Sequence, residues 1–69
     1  MKAIITKDAG NGYFPECGMN YRTVTPSYKR ESSIVKYALR FTMGRCNCRI
    51  EYFRGDSILG EPYKVAYIW

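Results

Sequence analysis

The rhythm of apolar and polar positions changes twice along this chain. Lys2-Ala3-Ile4-Ile5-Thr6-Lys7 is a short run of strand-favouring residues, and it predicts a first β-strand. Asp8-Ala9-Gly10-Asn11-Gly12 ends that run with two glycines around an asparagine, the composition of a turn. Tyr13-Phe14-Pro15-Glu16-Cys17-Gly18 extends the loop. Met19 to Thr25 alternates and holds Tyr21, Thr23, Val24 and Thr25, which predicts a second strand.

At Thr25-Pro26 the period lengthens. Threonine suits a helix N-cap and proline the first helical position. Residues 26–43 hold no further glycine or proline, and Gly44 follows, where a helix commonly stops. A helix over 26–43 would gather Ile34, Ala38, Phe41 and Thr42 on one face, flanked by Val35 and Tyr37. Lys29, Lys36 and Arg40 would fall within about 40° of one another on the opposite face. Glu31 would lie near the positive helix start, where its charge is favourable.

The two-residue rhythm then returns. In Cys48-Arg49-Ile50-Glu51-Tyr52-Phe53, Cys48, Ile50 and Tyr52 share one face, and Arg49 and Glu51 take the other. After a loop punctuated by Gly55, Asp56, Gly60 and Pro62, Tyr63 to Trp69 predicts a last strand. The expected fold is α+β: an antiparallel sheet of about four strands with one helix packed on one face, in the order β-β-α-β-β. Ile34, Ala38 and Phe41 should be buried, with Ile4, Ile50 and Val65 opposite them. The pattern shows no internal repeat, linker or low-complexity segment.

The 69 residues suffice for a single domain, 1–69, with a small core. No apolar run approaches the ~20 residues needed to span a bilayer. Ala3-Ile4-Ile5 is too short for the apolar region of a signal peptide. A cytoplasmic protein with no membrane contact is therefore expected. Cys17, Cys46 and Cys48 make an odd count, which closes no disulfide framework. In a cytosol they should be reduced thiols.

Cys46-Asn47-Cys48 invites a metal reading, but a structural zinc site wants four ligands. The chain has no histidine and a single further cysteine. No metal, cofactor or small-molecule substrate is expected. A cysteine nucleophile needs an activating base or strongly positive surroundings. Arg45 and Arg49 flank the pair, yet no base is evident and the plain alternative is a buried, inert thiol. The expectation is a protein that is not an enzyme.

Charge shifts attention to binding. Eleven Lys and Arg against six Asp and Glu give a net charge of +5, which attracts polyanions and acidic surfaces and also favours solubility. Lys29, Lys36 and Arg40 form a helix stripe, and Arg45, Arg49 and Arg54 follow along the next strand region. If helix and strand present these to one side, they make a continuous positive surface; otherwise the stripe is the solvated face of an amphipathic helix. Tyr52 and Phe53 nearby would suit stacking on unpaired bases, although the sheet motif of the common RNA-binding β-α-β fold is absent. The loop pair Tyr13-Phe14 is a second candidate contact, as a binding anchor or as a cap folded back on the core. The candidate binding residues are thus Lys29, Lys36, Arg40, Arg45, Arg49, Tyr13 and Phe14.

Met1-Lys2-Ala3-Ile4-Ile5-Thr6-Lys7 resembles the start of many very short phage-encoded accessory proteins. The β-β-α-β-β order, with a helix before a final hairpin, is similar to that of some small anti-CRISPR proteins. Such proteins bind CRISPR effector complexes and block DNA access or cleavage. The resemblance spans a seven-residue start and a coarse topology, and it transfers no binding residue. It implies a phage-type inhibitor docking on a host protein or ribonucleoprotein complex through a basic, aromatic-containing surface, within the host cytoplasm. The positive charge departs from the acidic, DNA-mimicking members of that group. The alternative is a stand-alone nucleic-acid-binding module, since both readings need a basic aromatic surface.

Overall fold

The computed structural model describes residues 1–16 and 20–69. Four strands and one helix follow in the expected order: β1 Lys2–Lys7, β2 Arg22–Val24, α1 Glu31–Thr42, β3 Cys48–Phe53 and β4 Lys64–Ile68. The strands form one antiparallel sheet in the order β2-β1-β3-β4, so β2 and β4 are the edges. β1 and β3 have the expected bounds. β2 is the three-residue core of the second expected strand, whose first residue, Met19, lies outside the described residues.

Sheet register decides which residues meet the helix. Ile50 stands opposite Ile5 on one side and Ala66 on the other. Directly opposed residues share a face, and successive residues alternate. Ala3, Ile5, Cys48, Ile50 and Tyr52 therefore face α1 and are buried with Ile34 and Ala38. Ala66 and Ile68 of β4 pack against the same cluster. Ile4 and Val65, expected in this core, lie on the opposite face. Both oppose Glu51, Ile4 is half-buried, and Val65 is 46% exposed. A one-residue choice in strand phase moves a whole set of side chains across the sheet. The apolar pairs Ile4-Ile5 and Val65-Ala66 left that choice open. Phe41 is half-buried at the core margin, with the Lys7 ammonium 4.3 Å from its ring centre.

The helix starts later than the sequence pattern predicts. Its N-cap is Arg30, in an extended conformation and without a side-chain cap bond, rather than Thr25. Thr25 is committed elsewhere. Its amide donates to the Ala3 carbonyl at 2.9 Å, and its Oγ1 accepts from the Ala3 amide at 3.0 Å. Further on, the Tyr28 amide donates to the Met1 carbonyl at 2.7 Å and the Met1 ammonium to the Tyr28 carbonyl at 2.6 Å. Residues 25–30 thus run as an extended strap beside the start of β1. Proline favours this outcome, because it disfavours helical conformation in the residue before it. At the other end Met43 takes the left-handed conformation at φ 56° and Gly44 follows at φ 67°. The Gly44 amide bonds back to the Leu39 carbonyl at 3.2 Å, closing the helix end.

Candidate functional site

The outer face of α1 carries the first feature. Lys36 and Arg40, one helical turn apart, line a shallow groove of about 200 Å³ with Tyr28, Ser33 and Tyr37. The strap brings Tyr28 there, with its ring 6.3 Å from that of Tyr37. Lys29 is exposed on the same strap, next to Tyr28. Lys29, Arg30, Lys36, Arg40 and Arg45 have no ion-pair partner among the described residues.

The acidic residues are largely engaged elsewhere. Glu31 accepts from Lys64 at 2.8 Å and from the Tyr63 hydroxyl at 3.0 Å. These bonds, that to Lys64 foremost, hold its carboxyl below the usual range, and the same contact raises the Lys64 ammonium. Asp8 accepts from the Gly10 amide at 2.7 Å and the Gly12 amide at 3.2 Å, tying down the 8–12 turn. Asp56 accepts from the Ser27 hydroxyl. Glu51 lies 3.8 Å from Arg22 and 3.4 Å from Arg49.

Arg49 therefore does not join the helix stripe. It projects from the sheet face opposite α1, with its side chain 18% exposed and paired to Glu51. The guanidinium sits 5.7 Å from the centre of the Phe14 ring. Helix and β3 present their cations to different sides, so no continuous surface runs from Lys36 to Arg49. Alternation along β3 requires this once Cys48 and Ile50 face the helix.

The loop aromatics part company. Tyr13 is 65% exposed. Phe14 is half-buried, folding onto Tyr67 at 5.5 Å and Trp69 at 5.9 Å between ring centres. Tyr67 and Trp69 are themselves stacked, 5.6 Å apart and within 9° of parallel. A second groove, of about 250 Å³, runs between Trp69 and the end of α1, lined by Leu39, Gly44, Arg45, Cys46, Asn47 and Ile68. Arg45 thus lines the Trp69 groove rather than the one beside Lys36 and Arg40. No protein-family model, curated protein or solved structure matches the chain.

Reasoning from the sequence missed Tyr28 and Tyr37 as groove-lining residues and Tyr67 and Trp69 as exposed ones. The two-residue spacing of Tyr67, in the edge strand β4, and Trp69, just past its end, was an available signal, because extended chain places both on one face. The position of Tyr28 had no such signal, since it follows from the strap. Cys17 lies outside the described residues; of the other thiols, Cys48 is buried and Cys46 half-buried. Burial pushes the Cys48 thiol above its ordinary value of 9.0, with the neighbouring Cys46 adding to the shift. A raised pKa opposes nucleophile and metal-ligand chemistry, both of which need thiolate. Among the described residues no cluster of three metal-ligating side chains occurs, and no helix is long and apolar enough to cross a membrane.

Proposed function

We propose that this protein is a small binding protein that attaches to nucleic acid, bare or held in a nucleoprotein complex, through the cationic face of α1. The observation that carries this reading is the uneven pairing of charge. Four of the six acidic residues, Asp8, Glu31, Glu51 and Asp56, are bonded within the fold. Lys36 and Arg40 on the outer face of α1, Lys29 on the strap before it and Arg45 beyond its end have no ion-pair partner among the described residues. A grooved face with unpaired cations beside it suits phosphate oxygens, which accept charge-assisted hydrogen bonds. Long cationic side chains reach such a partner without disturbing the core beneath them.

A phage-type inhibitor of a host nucleoprotein machine, of the anti-CRISPR kind, is the more specific form of this proposal. It rests on the Met1–Lys7 resemblance and the element order, and the contact chemistry stands without it. The deciding experiment is a titration of the purified protein with an oligothymidylate of about 15 nucleotides and with inorganic polyphosphate, each at several salt concentrations. Binding to both, weakening linearly with log salt, is the expected result. Absence of binding to either polymer at low salt overturns the proposal.

A further inference from the structure

Trp69 and Tyr67 lie outside the phosphate-binding face proposed above, and a core role does not account for them. Trp69 is 74% exposed and Tyr67 48% exposed. Both nevertheless pack on aromatic neighbours, since they stack on each other while Phe14 packs against both rings. Asp8 fixes the loop that delivers Phe14, through its bonds to the Gly10 and Gly12 amides. An exposed ring held in place by its neighbours has little rotational freedom left to lose on binding.

The surroundings select the occupant. The groove beside Trp69 is lined by Arg45, by Asn47 and by the apolar Leu39 and Ile68. Arg45 and the nearby Arg40 have no acidic partner among the described residues. Arg45 and the indole line the same groove. A polymer whose backbone is held by Arg45 therefore meets the indole next. One whose anionic backbone carries flat apolar groups at each repeat matches that sequence of contacts. A duplex does not, because its bases are stacked inside and out of reach of a side-chain ring.

We propose that Trp69, backed by Tyr67 and Phe14, is a base-stacking subsite, and that the polymer gripped by α1 is single-stranded nucleic acid. This inference rests on the nucleic-acid reading of the helix face and adds the class of strand. Trp69 is the single tryptophan of the chain, so its emission reports on the subsite directly.

The test uses the full chain and three probes: an oligothymidylate of about 15 nucleotides, a DNA duplex of the same length, and inorganic polyphosphate. The oligothymidylate should quench Trp69 emission, whereas polyphosphate should bind without quenching. Trp69→Ala should weaken oligothymidylate binding about tenfold, within the range for loss of one base–aromatic stack, and leave polyphosphate binding unchanged. Trp69→Phe, which retains a ring, should recover most of the loss. The duplex should bind less tightly than the single strand. Circular dichroism of both variants checks that the fold is kept. Oligothymidylate binding with unchanged emission and undiminished affinity in Trp69→Ala refutes the subsite and leaves the helix-face reading standing. Tighter binding of the duplex refutes it too. If neither oligothymidylate nor polyphosphate binds, the helix-face reading fails and the subsite with it.

Discussion

Reversing Lys36 and Arg40 to Glu tests the helix face with little risk to the fold. Arg40 is exposed, and so is Lys36; neither makes an ion pair among the described residues. Exposed substitutions usually change stability by within about 0.5 kcal/mol. Glu at position 40, in the last turn of α1, adds an unfavourable dipole contribution of about 0.3–1 kcal/mol. The combined effect on folding should therefore stay near 1 kcal/mol. The effect on binding should be far larger. If Lys29, Lys36, Arg40 and Arg45 each neutralise one phosphate of a single strand, the slope of log affinity against log salt is about −2.8. Raising salt from about 50 to 200 mM should then weaken the native protein about fifty-fold. Two cations remain in the double variant, so its slope should fall to about −1.4, with a loss of about sevenfold over the same interval. The affinity itself should also drop, since two attractions become repulsions. Fluorescence anisotropy of a labelled oligothymidylate at four salt concentrations measures slope and affinity together, with circular dichroism as the fold control. A folded double variant that keeps the native slope refutes the reasoning and moves the contact elsewhere, with Tyr13 on its exposed loop as the next residue to test.

Further expectations concern the core and the ionisable groups. Ile50→Val should cost about 1 kcal/mol in urea unfolding, because Ile50 is fully buried. Val65→Thr, on the open sheet face, should stay within about 0.5 kcal/mol, and an equal or larger loss there would contradict the strand phase. Glu31 has a pKa below its ordinary 4.5 when folded, so the stability it lends is complete above that value and is lost as pH falls through the lowered one. Glu31→Gln should accordingly be less stable than the native protein at neutral pH, with the gap closing in acid; a gap that persists in acid would show that the bonds to Lys64 and Tyr63 do not act through the carboxylate's charge. Cys48 has the opposite sign: its pKa is raised above 9.0, so its contribution is full below that value and lost as pH rises through the raised one. Cys48→Ala should weaken that part of the alkaline loss of stability, and an unchanged alkaline limb would count against it.

Local pattern was enough for several parts of this protein. The bounds of β1 and β3 follow from short runs of strand-favouring residues between turn residues. The existence of α1, its buried pair Ile34 and Ala38, and its outward Lys36 and Arg40 follow from a 3.6-residue period. These properties depend on neighbours within one or two turns of chain, so the sequence states them directly.

The rest depended on which distant segments meet. Thr25-Pro26 reads locally as a helix start, but the bonds from Thr25 to Ala3 and from Tyr28 to Met1 draw 25–30 into a strap along β1. Ile4 and Ile5 are equally apolar, and the pairing of Ile5 with Ile50 puts Ile5 under the helix. That same pairing sends Arg49 to the far face, where Glu51 and Phe14 receive it. Phe14 and Trp69 lie at opposite ends of the sequence, and the sheet brings their rings together. Residue type and local period thus determined what each segment is. Which face it buries and what it touches came from long-range pairing, because hydrogen bonds and packing between segments outweigh the small preferences of single residues.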